Sequence, residues 1–146
     1  SPYYITSPII FNFFESGTQW EKMFFLIQRE VAERIIAKPG SKSYGRLSIM
    51  TQIFSKPQIL FNISANVFRP IPKVESSFIC LEKNTDRKIH DYNRFRDIIR
   101  LIFNKRRKKL KNSITPEMQL NIDLIPELLD KRPEEISVDK YIELIN

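Results

Sequence analysis

Hydrophobic and polar positions fall into two regimes along this chain. Before residue 82 the apolar residues come in short continuous runs. After residue 89 they recur at helical spacing. Ile5 to Phe14 is the first apolar segment, and Ser7-Pro8 reads as its helix start. Ser7 would be the cap and Pro8 would sit in the first turn, where its missing N–H costs nothing. This helix should run to Glu15 and stop at Gly17. Met23 to Gln28 is an unbroken apolar run ending in a polar residue, which predicts a strand buried on both faces, as in a parallel sheet under helices. Glu30 to Ile36 has helical character, broken by the basic loop Lys38-Pro39-Gly40-Ser41-Lys42. Arg46 to Phe54 predicts another helix, ended by Lys56-Pro57. Ile59 to Ile63 and Ser76 to Leu81 predict strands, joined through the stiff turn Phe68-Arg69-Pro70-Ile71-Pro72.

Glu82 to Lys88 is polar and reads as a linker. Beyond it Tyr92, Phe95, Ile98, Ile99, Ile102 and Phe103 share one helix face, with Arg94, Arg96 and Arg100 mostly off it. Pro126 to Asp130 and Val138 to Ile145 predict two further short helices. The pattern therefore gives the later half of an α/β domain over residues 1–82 and a small helical domain over 89–146. There are no internal repeats and no low-complexity tract. The start, Ser1-Pro2-Tyr3-Tyr4 running straight into apolar residues without an initiator methionine, reads as a chain lacking its upstream half.

Composition narrows the class. With 42% hydrophobic and 28% charged residues the chain can fill one sizeable core, which argues against disorder, a collagen-like chain or a coiled coil. No apolar run approaches the roughly 18 residues of a membrane helix, and no secretory leader is visible, so a soluble chain is expected. Cys80 is the single cysteine and His90 the single histidine, so neither a disulfide framework nor a metal site is expected. Cys80 reads as a small buried strand residue and His90 as an exposed polar one.

Charge changes the picture most. The net charge is +7, but residues 83–111 carry 12 basic and 3 acidic groups, whereas 112–146 carry 3 and 8. Lys105 to Lys111 has six cations in seven positions. A focused patch of this kind concentrates polyanions at the surface. Nucleic acid is the first partner it suggests, an anionic membrane the second, and a solvated charged face the plain alternative.

Five blocks then carry a resemblance. Pro2-Tyr3-Tyr4-Ile5-Thr6-Ser7-Pro8 resembles the end of the Asn-Leu-Pro-Tyr motif of adenine-N6 methyltransferases acting on ribosomal RNA. Gln28 to Ile35, followed by Lys38 to Ser48 with its Tyr44-Gly45-Arg46-Leu47-Ser48, resembles the small-subunit ribosomal RNA adenine dimethyltransferases, whose bacterial members confer kasugamycin sensitivity. Phe68 to Ser76 resembles that family's Phe-x-Pro-x-Pro-Lys-Val-x-Ser motif. Phe103 to Asn112 resembles its basic helical segment, and Arg132 to Ser137 its closing helix start. Two departures stand out. The motif's Asn is absent and Ser1 stands in place of its Leu. The Gly-rich loop and the acidic residue for the cofactor ribose have no counterpart here.

The resemblance implies an α/β plus α fold. Residues 1–84 would be the second half of a Rossmann-like methyltransferase domain and 89–146 a small helical RNA-binding domain. It implies S-adenosylmethionine as cofactor, with its site mostly outside this chain. It implies dimethylation of N6 on two adjacent adenosines near the 3′ end of 16S ribosomal RNA, with a role in ribosome assembly, by a cytoplasmic monomer that uses no metal or membrane. Pro2, Tyr3 and Phe68 would be the catalytic set. Tyr3 and Phe68 would stack on the two faces of a flipped adenine, and the carbonyl of Ser1 or Pro2 would accept an N6–H bond. Without the resemblance, Tyr3 and Phe68 are two of 16 Phe and Tyr residues, a type usually found in cores. Arg106, Arg107, Lys108, Lys109 and Lys111 would contact phosphates. Lys38, Lys42, Arg46, Arg69 and Lys73 would extend that surface around the base. Gln28 and Glu30 take no catalytic role. A large-subunit methylase of the antibiotic-resistance type and a non-catalytic assembly factor are the rival readings.

Overall fold

The computed structural model describes residues 3–17, 19–71 and 73–146, with side chains from Pro8 onward. Three strands form one sheet: β1 (Lys22–Gln28), β2 (Ser55–Ile63) and β3 (Ser76–Lys83), in the order β1-β3-β2. Both pairings are antiparallel. The β1–β3 register runs from Lys22↔Glu82 to Gln28↔Ser76, and the β2–β3 register from Ser55↔Lys83 to Ile63↔Ser76, with a bulge between Ile59 and Phe61.

The described residues also form α1 (Tyr3–Glu15), α2 (Arg29–Ile36) and α3 (Arg46–Gln52), and then α4 (Tyr92–Phe103) and α5 (Val138–Ile145), which pack in a helical cluster. Three short 3-10 turns of the C-terminal region open at Pro116, Pro126 and Pro133, where a fixed φ and a missing N–H are no handicap.

The strand expected to be parallel and buried on both faces corrects in two respects. Its described partner β3 is antiparallel, and the run is apolar on both faces but covered on one. Ile27 is buried, and Met23 and Phe25 pack on a core of Ile10, Val31, Ala32, Ile35, Ile79 and Leu81. Phe24 and Leu26 point the other way and stay 53% and 46% exposed. On that outer face Phe24 stacks on Phe78 at 5.9 Å and Phe61 on Phe78 at 5.2 Å, a ladder of three rings across all three strands.

Two prolines mislead at element ends. Helix α1 begins at Tyr3 rather than at a Ser7 cap, so Pro8 lies inside it. The exposed ring removes one helical bond, and the burial of Ile10 with Phe11 and Phe14 on the sheet outweighs that loss. The stop comes where expected, with Ser16 N–H donating back to Phe13 O and Gly17 at φ +71. Lys56-Pro57 does not terminate a long helix. Helix α3 ends at Gln52, and Pro57 sits within β2, opposite Leu81. An edge strand tolerates a proline whose missing N–H would face away from the ladder.

Helix α4 follows its predicted face: Phe95, Ile98, Ile99, Ile102 and Phe103 are buried, and Asp91 Oδ1 caps the helix by accepting from Arg94 N–H at 3.1 Å. The basic run is not a continuation of this helix. The chain turns after Phe103, and Leu110–Asn112 is a 3-10 turn anchored by buried Leu110.

The polar segment after β3 is not where the two buried clusters divide, because residues from both sides of it share one of them. Tyr44, Ile49, Met50 and Ile53 belong to the same buried cluster as Phe95, Ile99, Ile102, Leu110, Tyr141 and Leu144. One phenol ties the junction: Tyr44 O–H donates to Ile136 O at 2.7 Å, while Tyr141 O–H donates to Pro133 O at 2.7 Å within the helical region. Gly40, at φ +85, donates its N–H to Glu134 O at 2.7 Å. Arg87 crosses the linker, donating from Nε to Asp139 Oδ1 at 2.8 Å and from Nη1 to Gln52 O at 2.9 Å.

Burial holds the phenols of Tyr44 and Tyr141 above the ordinary tyrosine range. Unfolded tyrosines ionise near pH 10, roughly. Their proton-binding contribution to stability is therefore complete below about pH 10 and is lost as pH rises further. Tyr44→Phe should cost about 1–3 kcal/mol by leaving the Ile136 carbonyl without its donor. It should also flatten the alkaline loss of stability. Urea denaturation between neutral and strongly alkaline pH measures both.

Candidate functional site

The loop between β2 and β3 carries Phe68 and is braced from within. Ser64 Oγ accepts from Asn66 N–H at 3.4 Å, opening a 3-10 turn at Ala65–Val67. The Arg69 guanidinium folds back and donates to Asn66 O and Phe68 O, both at 2.8 Å. The Arg69–Pro70 peptide is cis. The loop holds Phe68 half-buried over an open cleft of about 500 Å³. Leu26 and Gln28 from β1 and Ser76 from β3 line its floor, and Lys73 and Val74 stand beside Phe68. An aromatic face, a floor of one apolar and two polar side chains, and one cation suit a flat heterocycle with an attached phosphate.

Of the residues predicted for catalysis, Phe68 lies at this cleft. Pro2 lies outside the described residues. Tyr3 is the first residue of α1, and its side chain also lies outside them. Gln28, given no catalytic role from sequence, lines the cleft.

The second feature is cationic. Arg106, Arg107, Lys108 and Lys109 are all exposed and, among the described residues, none pairs with a carboxylate. Lys111 differs: its Nζ donates to Asp130 Oδ1 at 3.0 Å, and this bond lowers the Asp130 carboxyl below its usual range. Lys42, Arg106 and Arg107 meet across one concavity together with Arg34 and Arg132. Arg46 adjoins it, sharing a smaller cleft with Arg34, Phe103 and Arg106. The α2–α3 loop and the basic turn after α4, far apart in sequence, thus form one surface. Lys38 faces a different hollow, near Gln52, Lys56 and Arg87. Lys73 lines the cleft under Phe68, whereas Arg69 does not line it and is engaged by its own loop.

Sequence reasoning missed Arg34 and Arg132. Arg34 is paired with Glu30 on the outer face of α2 at 3.3 Å and carries the signature of an ordinary helix ion pair. Arg132 lies between Lys131 and Pro133 in an otherwise acidic stretch, where two cations among several carboxylates do not read as a basic patch.

Among the described residues no three His, Cys, Asp or Glu side chains converge as a metal site, and no helix is long and apolar enough to cross a membrane. Cys80 is buried within β3.

Three comparisons bear on the reading. The family described as "Ribosomal RNA adenine dimethylase" matches residues 1–145. Ribosomal RNA small subunit methyltransferase A of Bacteroides thetaiotaomicron is 42% identical over 147 residues, which is 99% of this chain and 55% of that protein. Its namesake in Buchnera aphidicola subsp. Schizaphis graminum is 40% identical over 151 residues, 99% of this chain and 54% of that one. The chain spans about half the length of these curated relatives. The crystal structure of a dimethyladenosine transferase from Plasmodium falciparum superposes with a TM-score of 0.86 at 22% identity, covering 98% of this chain and 62% of that one. The 23S rRNA methyltransferase ErmE gives 0.64 at 20%, covering 99% and 62%. At those identities the likeness concerns the fold, which is that of the Rossmann-like methyltransferases.

Changing Arg106, Arg107, Lys108 and Lys109 together to Gln should weaken binding to single-stranded RNA and flatten its salt dependence. Each phosphate contact contributes about 0.7 to the slope of log affinity against log salt on single strands. Loss of three or four contacts should lower the slope by roughly two to three. Filter binding at several salt concentrations measures this, with circular dichroism to show that buried Leu110 and the α4 face still fold.

Proposed function

Because the chain belongs to the ribosomal RNA adenine dimethylase family, we propose that it is the later part of an S-adenosylmethionine-dependent enzyme. That enzyme would dimethylate N6 of two adjacent adenosines near the 3′ end of small-subunit ribosomal RNA. Residues 1–84 complete a Rossmann-like methyltransferase domain in this reading, and 89–146 form a small helical domain that docks RNA. The partner is the small ribosomal subunit, met in the cytoplasm by a monomer during subunit assembly.

The observation that carries the reading is the presentation of Phe68. Its ring stands half-buried on a braced loop, over a cleft with Lys73 beside it. The exocyclic amine of adenine is a weak nucleophile because its lone pair is delocalised into the ring. The useful contribution of a protein is then to hold the base flat and aim N6, a matter of position rather than of strong base. Phe68 supplies one stacking face, and Tyr3 is assigned the other. Pro2 is assigned the backbone acceptor for an N6–H. The cationic surface around Arg34, Arg106 and Arg132 holds the phosphates at a distance from the chemistry, which fixes the register of the RNA without reading the base.

The described residues do not make a cofactor cradle. Dinucleotide-type and methyl-donor sites use glycines where the ligand meets the backbone. The three glycines here, Gly17, Gly40 and Gly45, are dispersed along the chain and form no Gly-rich loop. The methyl donor, when bound, would supply the methyl group, and the residues above would hold and aim the base.

In the complete enzyme, Phe68→Ala should lower methylation of unmethylated small subunits far more than it lowers their binding. A lost stacking face costs about 1–3 kcal/mol at the base, roughly five- to 150-fold in turnover, while phosphate contacts persist. Methyl incorporation and subunit affinity, measured on the same variant, test it. Equal losses in both would return Phe68 to the core.

A further inference from the structure

We propose that Arg29 is a positioning residue of this reaction: it clamps the downstream end of the Phe68 loop to helix α2 and thereby sets the geometry of the base cleft. The inference rests on the functional reading above and names a residue that reading does not use.

Strands β1 and β3 diverge at the pair Gln28↔Ser76, and both of those residues line the cleft floor. One step further on, the chain enters α2 on one side and the Phe68 loop on the other. Two contacts bridge that fork. Arg29 N–H donates to Glu75 O at 3.0 Å, which extends the ladder by one rung. The Arg29 guanidinium donates from Nη1 to Glu75 Oε2 at 2.6 Å and from Nε to Glu33 Oε1 at 3.0 Å. A single planar cation thus holds two carboxylates from two elements. The hydrogen bond to Glu75, then that to Glu33, binds its proton still more firmly than usual.

Position makes this more than a surface ion pair. The side chains are about half exposed, so the clamp adds little to global stability. Yet Lys73 and Val74, which flank Phe68 at the cleft, immediately precede Glu75. The brace from Arg69 is internal to the loop and cannot fix the loop to the rest of the molecule. The Arg29 clamp can, because α2 is seated in the core through Val31, Ala32 and Ile35. Without it the Phe68 ring keeps its shape but loses its register with the floor. A misplacement of about 1 Å is enough to cost on the order of 100-fold in rate.

The guanidinium fork matters as well as its charge. A lysine reaches one carboxylate as a point charge and does not hold both in a fixed plane. The effects should therefore be graded.

The test uses the complete enzyme, unmethylated small ribosomal subunits and S-adenosylmethionine. Arg29→Ala should lower kcat by roughly 10- to 100-fold, with KM for the subunit within about twofold of wild type. Arg29→Lys and Glu75→Gln should fall between the two. The reversed pair Arg29→Glu with Glu75→Arg should exceed either of its single variants. Melting temperatures should stay within a few degrees throughout. If Arg29→Ala does not fold, the milder Arg29→Lys and Glu75→Gln variants decide through the same kcat and KM split. Wild-type turnover in every Arg29 and Glu75 variant would overturn the inference, as would losses of kcat that merely track losses of melting temperature. A wild-type enzyme that methylates, with Phe68→Ala impaired and the Arg29 series unaffected, defeats this proposal alone. A wild-type enzyme that leaves small-subunit RNA unmethylated defeats the functional reading instead.

Discussion

The phenol of Tyr44 lies wholly out of reach of water, and its hydroxyl must find an acceptor inside the protein. It finds one in the helical lobe, at Ile136 O. Much of the architecture is a consequence of that need. The α2–α3 loop must fold back on the segment after Arg132, and Gly40 makes the turn that lets its own N–H reach Glu134 O. Helix α3 is then shared between the two cores, with Leu47 in that of the sheet and Ile49 and Met50 in that of the helical lobe. The basic turn after α4 is brought beside Lys42 and Arg46 as a result. A single buried hydroxyl therefore joins two stretches of cationic residues into one surface.

Periodicity exposed the parts of the fold whose causes are local. Helix α4 was legible because its apolar face and its Asp91 cap are neighbours in sequence. The existence of β1 was legible for the same reason. Its partner's direction was not, since an apolar run says nothing about which strand it will pair with. Pro8 and Pro57 each read as an element boundary, and each was overridden by tertiary context: packing of α1 on the sheet in one case, an edge position in the other. The helical expectation for residues 105–111 failed because buried Leu110 pins the chain in a turn that a count of charges cannot foresee.

The site divides along the same line. Phe68 and the cationic run were visible as motifs. Arg29 with Glu75, and Arg34 with Arg132, were not, because each pair becomes meaningful only when distant segments meet. Arg29 in particular looks like a first-turn helix residue with an i, i+4 partner, and its second carboxylate is 46 positions away. The two clefts are lined by different residues, one set mainly cationic and the other presenting an aromatic ring.

Pro57 has a consequence for the sheet as a whole. Backbone donors and acceptors at a sheet margin are a template for any further strand. On β2 that margin carries a proline, a neighbouring lysine and a bulge near Leu60, all of which discourage addition. The outer margin of β1 carries neither a proline nor a bulge, its one lysine is the first residue Lys22, and Phe24 and Leu26 offer it an apolar flank. The sheet is thus polar in its capacity to grow: closed to newcomers at β2 and receptive at β1. Any strand contributed from elsewhere in a longer polypeptide would join on the β1 side, in the plane of the sheet, and would widen the face on which the phenylalanine ladder stands.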